Sequence, residues 1–72
     1  MKVTYEKLTD TLYVEFIDTT VTTKRLSDDI AVDYGPDGKL AGIEVLGATR
    51  NIAKDWQKVF SVEYQQNLMQ AS

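Results

Sequence analysis

Gly35-Pro36-Asp37-Gly38 sits between two segments in which apolar and polar residues alternate, and this combination constrains the chain more than any other feature. Pro36 holds φ near the value needed at the second position of a β-turn, Asp37 suits the third, and Gly38 is free to take a positive φ. Such a turn closes a hairpin with a bulge. Ahead of it, over 28–34, Ile30, Val32 and Tyr34 oppose Asp29, Ala31 and Asp33. Behind it, over 39–46, Ala41, Ile43 and Val45 share one face, while Leu40, Gly42, Glu44 and Leu46 share the other. A two-residue period is what a strand with one buried face requires, so the hairpin belongs to an antiparallel sheet.

Two more strands precede the hairpin. Val3 and Tyr5 alternate with Thr4 over 2–6, the polar stretch Lys7-Leu8-Thr9-Asp10 reverses the chain, and 11–17 is dense in β-branched and aromatic residues. Leu12, Val14 and Phe16 share one face of this second strand; Thr11, Tyr13, Glu15 and Ile17 make a mixed opposite face. Residues 18–27, rich in Thr and Ser with Lys24 and Arg25 among them, lack a clear period and read as a loop or an irregular edge extension. After Gly47-Ala48-Thr49 the spacing changes. Ile52, Trp56, Val59 and Phe60 fall at i, i+4, i+7 and i+8, which predicts a helix over 50–60 capped by Thr49 or Asn51. Trp56, Phe60, Tyr64 and Leu68 extend a four-residue recurrence that favours a longer helix, although Ser61-Val62-Glu63-Tyr64 has strand propensity. The expected fold is α+β: one domain, 1–72, with a four-stranded antiparallel, meander-like sheet over 1–49 and a C-terminal helix packed on one face. Residues 61–72 form a tail without an assigned structure.

A chain of 72 residues has room for one core, and it contains neither Cys nor His. Disulfides and zinc held by Cys or His are thereby excluded, which leaves oligomerisation as the usual remaining support for so small a domain. Hydrophobic residues at 43% and charged residues at 26% are enough for a globular fold rather than disorder. The net charge of −3 argues against nucleic acid and anionic membrane surfaces as partners. Arg50, Lys54 and Lys58 read as a solvated helix face. No apolar run approaches the ~20 residues that span a bilayer, and the expected location is cytoplasmic.

Asp33, Asp37, Gly38, Leu40 and Glu44 match positions of a helix-flanked calcium loop. Gly35 replaces the required Asp or Asn, Pro36 follows, and the flanks have a strand period, so the hairpin is the expected reading and no metal is assigned. Asp28, Asp29, Asp33, Asp37 and Glu44 lack the partner of opposed pKa and the cleft that acid–base catalysis needs, and neither a catalytic residue nor a cofactor is expected. The informative remainder is surplus apolar surface. Tyr13, Ile17, Leu40 and Leu46 lie on faces that one helix does not cover, and Tyr64, Leu68 and Met69 fall in the tail. From these, Tyr13, Ile17, Leu46, Tyr64 and Leu68 make up the expected interaction surface.

Tyr5-Glu6, Asp10-Thr11-Leu12-Tyr13-Val14 with Phe16, Ile30-Ala31-Val32-Asp33-Tyr34, Asp37-Gly38-Lys39-Leu40-Ala41-Gly42-Ile43-Glu44-Val45-Leu46, and then Ala48 and Thr49 form a recognisable pattern. It resembles the domain of unknown function 2283 family, whose members are small prokaryotic and phage-borne proteins. The similarity covers about the first fifty residues, and Gly42 to Leu46 after the Asp-Gly turn is its most specific piece. The chain departs from the family in having Tyr5-Glu6 where many members have Tyr-Asp, and Lys7 where an acidic residue is common. The resemblance implies a small curved antiparallel sheet and brings no catalytic residues. Some relatives are regarded as partners of small toxin-like proteins. The expected function is a non-enzymatic protein-interaction or homo-oligomeric domain that binds itself or a small protein partner. The alternatives are a toxin-neutralising partner and a weak acidic-loop metal binder. Millimolar Ca²⁺ or Mg²⁺ is expected to leave the melting temperature unchanged. An ion binding 100 times below its free concentration would add ~2.7 kcal/mol, several degrees in a domain this small. A clear rise that disappears in Asp33→Ala would establish a cation site at the turn.

Overall fold

The computed structural model describes residues 1–58 and 63–65. Six strands run in chain order: β1 Lys2–Glu6, β2 Thr11–Glu15, β3 Thr22–Arg25, β4 Ile30–Tyr34, β5 Leu40–Leu46 and β6 Glu63–Gln65. Helix α1, Ala48–Asn51, and a 3₁₀ turn, Trp56–Lys58, lie between β5 and β6. The strands form one sheet in the order β3-β4-β5-β2-β1-β6, antiparallel except where β6 runs parallel to β1.

The sheet differs from the expected four-stranded meander in three ways. Part of 18–27, which reads as a loop or an irregular edge extension, is the edge strand β3, whose four residues are all exposed and so carry no apolar alternation to reveal them. Strand β2 pairs with β5 rather than with the next strand in sequence, which joins the two strands with the strongest apolar faces at the centre. The third difference is β6, in the tail without an assigned structure, where the four-residue recurrence favours a longer helix against the strand propensity of 61–64.

The turn behaves as its residues dictate. Gly38 donates its N–H to the carbonyl of Gly35 at 2.9 Å with φ at 80°, Gly35 and Lys39 pair beyond it, and the register shifts between Asp33 and Tyr34. The bulge therefore falls next to the turn, where Gly38 supplies the left-handed residue it needs.

The predicted helix over 50–60 is replaced by one turn of helix and one of 3₁₀ helix. Gly47, not Thr49 or Asn51, precedes α1, in the left-handed conformation at φ 62°. Ile52 is extended at φ −109°, ψ 146°, and Asp55 is left-handed at φ 67°, so the helical path is broken twice before Trp56. Ile52 and Trp56 nevertheless both pack into the core; Val59 and Phe60 lie outside the described residues. Topology explains this. Strands β5 and β6 are parallel and separated by β2 and β1, so the connection has to pass over one face of those two strands. That face presents Val3, Tyr5, Leu12 and Val14, and it forms the core with Ala48, Ile52 and Trp56. Trp56 meets the Tyr5 ring edge-on, with centroids 5.3 Å apart.

Asp10 holds the connection against the sheet. Its carbonyl accepts the Ala48 N–H at 2.8 Å, and its carboxylate accepts the Tyr5 hydroxyl at 2.5 Å and both the N–H and the hydroxyl of Thr49. The Tyr5 hydrogen bond, with further help from Thr49, lowers the Asp10 pKa below its ordinary value against a smaller opposing effect of burial. Trp56→Ala is expected to cost ~3–5 kcal/mol, comparable with the whole stability of a domain of this size, and to leave the protein largely unfolded at 25 °C. Retention of both the native far-UV circular dichroism and the melting temperature would place the anchor of the connection elsewhere.

Candidate functional site

The face of the sheet opposite Trp56 is polar, and Tyr13 organises it. In register, Thr4, Tyr13, Glu44 and Ala31 lie side by side across β1, β2, β5 and β4, while Asp33 lies between Gly42 and Thr23. The Tyr13 hydroxyl donates to Asp33 at 2.5 Å, and the hydroxyl of Thr23 donates to the other oxygen of the same carboxylate. Its path crosses Gly42, where an added Cβ would stand 2.3 Å from the phenolic oxygen and 3.1 Å from the Val14 carbonyl oxygen. Gly42 is therefore the space through which Tyr13 reaches Asp33. Burial first, and then the hydrogen bond to Asp33 with the charges of Asp33, Glu15 and Glu44, push the Tyr13 phenol up to about 12.

The acidic residues of the turn region have separate partners. Asp29 meets Arg50 at 3.1 Å, Asp37 accepts the Lys39 N–H at 3.0 Å, and Glu44 faces Arg25 at 3.7 Å. Among the described residues no three carboxylates converge as metal ligands would. An open cleft beside Trp56 is lined by Thr49, Ile52, Lys54 and Asp55.

The expected interaction residues are dispersed. Tyr13 is half-buried in the polar face; Leu46 is half-buried at the α1 end, where its N–H donates to the Asp29 carbonyl and its carbonyl accepts the Asn51 side chain. Tyr64 stands opposite Tyr5 in the β1–β6 register, and Leu68 lies outside the described residues. Ile17 is 60% exposed. It belongs to a group that the sequence did not unite: Met1, Phe16, Ile17, Val21 and Leu40 are all exposed and all lie at the sheet end where β1, β3 and β5 begin and β2 ends. There the N–H groups of Phe16 and Ile17 both donate to the Ala41 carbonyl, a bulge that turns the chain out of the ladder. Alternation placed Phe16 with Leu12 and Val14, and the bulge is why it is exposed instead. Among the described residues, the connection with Trp56 packs on Val3, Tyr5, Leu12 and Val14 of β1 and β2.

A small, twisted, mainly antiparallel sheet with a short helical cover defines the class of this domain. The chain belongs to the family described as Protein of unknown function (DUF2283), whose sequence model matches residues 2–48. The match ends at Ala48, the fully buried first residue of α1, so the cover after it lies beyond the matched region. No curated protein and no solved structure matches the chain.

The raised Tyr13 pKa fixes a sign. A phenol held neutral in the folded state contributes stability that is complete below its unfolded pKa of ~10 and is lost as the pH rises through its folded value. Tyr13→Phe is expected to be about 1 kcal/mol less stable at neutral pH and to lose less of its remaining stability than the parent as pH climbs from ~10 toward about 12. Gly42→Ala should do the same by displacing the phenol. Urea unfolding across this range is the check, and parallel pH curves for parent and Tyr13→Phe would contradict the assigned role.

Proposed function

We propose that this protein is a non-enzymatic interaction domain that associates with a second copy of itself through the apolar end of its sheet. The observation that carries the reading is that five of the seven exposed large hydrophobic residues among those described, Met1, Phe16, Ile17, Val21 and Leu40, lie at one end of the sheet, with Leu8 and Leu26 at the other. Scattered exposed apolar residues are ordinary; a group at one end is a docking surface.

A second copy is favoured as occupant by the thinness of the core. Three of the eight buried hydrophobic residues among those described are alanines, and no large side chain among them falls below 2% exposure. A subunit that hides the apolar end of another supplies burial that a short chain without Cys has few other ways to obtain. Membrane insertion is not part of the reading, since no helix among the described residues is long and apolar enough to cross a bilayer.

Sedimentation equilibrium over a wide concentration range should show a mass that rises from monomer to oligomer. Ile17→Asp should shift the population to monomer while keeping the native far-UV spectrum, because a charge at an exposed site perturbs a contact between subunits more than the fold of one. A monomer mass at every concentration for the parent protein would overturn self-association, and would leave the same end available to a different small protein.

A further inference from the structure

The ladder hydrogen bonds determine which backbone groups the outer edge of the sheet offers. The N–H of Leu26 donates to the carbonyl of Ile30, its partner when the β3–β4 register is continued by one pair. In an antiparallel ladder hydrogen-bonded and non-hydrogen-bonded pairs alternate, so Lys24 and Val32 form a bonded pair, as do Thr22 and Tyr34. The next ladder agrees: the Leu46 N–H donates to Asp29, which directs Ala31 and Asp33 toward β5 and leaves Ile30, Val32 and Tyr34 to face β3. The peptide groups of Thr23 and Arg25 consequently point away from the sheet. Among the described residues no strand pairs with that edge, and all four residues of β3 are exposed.

Its side chains are selective. Lys24 lies on the same face as Val32 and Ile43, Leu26 follows it on that face beside Ile30, and Arg25 projects on the opposite face near Glu44. Both charged residues of the strand are basic in a chain whose net charge is −3. Basic edge residues deter self-pairing. With Thr23 against Arg25 of a second copy, Lys24 meets Lys24 directly, and with Arg25 against Arg25 the repulsion is as direct. With Thr23 against Thr23, neither Lys24 nor Arg25 meets an acidic residue of the second copy's strand. An acidic strand has none of these conflicts.

We propose that β3 is a docking edge for an extended acidic segment of a partner protein, which adds a strand to the sheet through the Thr23 and Arg25 peptide groups and sets a carboxylate beside Lys24 and an apolar side chain beside Leu26. This inference rests on the interaction-domain reading, yet uses a different surface from the apolar end. Main-chain bonds supply the affinity of such a contact and the two side chains its selectivity.

The test uses the full chain and three soluble synthetic peptides of one length: a strand-forming peptide with glutamate and valine alternating along one face and threonine on the other, and versions with glutamine or lysine in place of glutamate. Amide hydrogen exchange in the free protein should be fast at Thr23 and Arg25 and slower at Lys24. The glutamate peptide should slow exchange at Thr23 and Arg25, bind more tightly than the glutamine form, and bind more tightly than the lysine form by a wider margin. Lys24→Glu should weaken the glutamate peptide by at least about threefold, the scale of one exposed ion pair, and favour the lysine peptide. Thr23→Pro removes an outward N–H without taking a main-chain bond from the β3–β4 ladder, and gives up the Thr23 hydroxyl bond to Asp33 as well. Compared with Thr23→Val, which loses only that hydroxyl and should still bind, it should keep the fold and lose the peptide. Equal affinity for all three peptides, binding undiminished in Thr23→Pro, or no binding at millimolar peptide would overturn the proposal. If self-association that responds to Ile17→Asp survives such a result, the edge fails alone; a parent protein that is monomeric throughout but binds the acidic peptide fails only the apolar-end reading.

Discussion

The carboxylate of Asp10 ties the sheet to its cover at both ends of a long stretch of sequence. It lies in the β1–β2 turn, with a left-handed backbone at φ 53°, and holds Tyr5 on one side and Thr49 on the other across 39 residues of sequence. Its own carbonyl bonds to Ala48, which is completely buried. These contacts satisfy N–H groups at the start of α1, where Gly47 offers no side chain to do so. With α1 fixed in place, the following residues can return over β2 and β1, and Ile52 and Trp56 reach Val3, Tyr5 and Leu12. The apolar contact provides the larger energy, while the carboxylate determines where that contact forms.

Most of the sheet was legible because its signals are local. The turn at 35–38 needs residues with fixed or permissive φ, and those residues are adjacent in sequence. Strands β1, β2, β4 and β5 carry apolar residues at every second position, which leaves a two-residue period even though the small Ala31 and Gly42 are buried on the other face of β4 and β5. Strand β3 has no such period; Thr22-Thr23-Lys24-Arg25 is a strand because β4 pairs with it, and edge position leaves no apolar trace. The helix was overextended for the opposite reason. Ile52 and Trp56 are spaced as on a helix and do share a core, but the backbone between them bends at Ile52 and Asp55 to follow the sheet. The role of Asp10 depends on Thr49 and Ala48, far along the chain, and no spacing rule joins them.

The two faces divide structural work. One is closed by apolar packing, and the other by a hydrogen-bonded group centred on Asp33, with Tyr13 laid across Gly42. Tyr13 read as surplus apolar surface because its ring was visible in the sequence, whereas the gap that accommodates it was not. Ile17 and Leu40 were visible as apolar residues on separate strands, and their union at one end follows only from β2 pairing with β5. The candidate interaction surface is thus a product of topology more than of any contiguous motif.

The chain has a single tryptophan, and it sits in the cover rather than in the sheet. Its indole stands edge-on to Tyr5, the ring whose hydroxyl reaches Asp10. Fluorescence emission therefore registers whether the connection is seated, while backbone absorption in the far ultraviolet registers the strands. A change of solvent that releases the cover before the sheet would separate these two optical signals in time or in midpoint. The molecule carries its own spectroscopic label at the joint between its two parts, with no dye or engineered chromophore required.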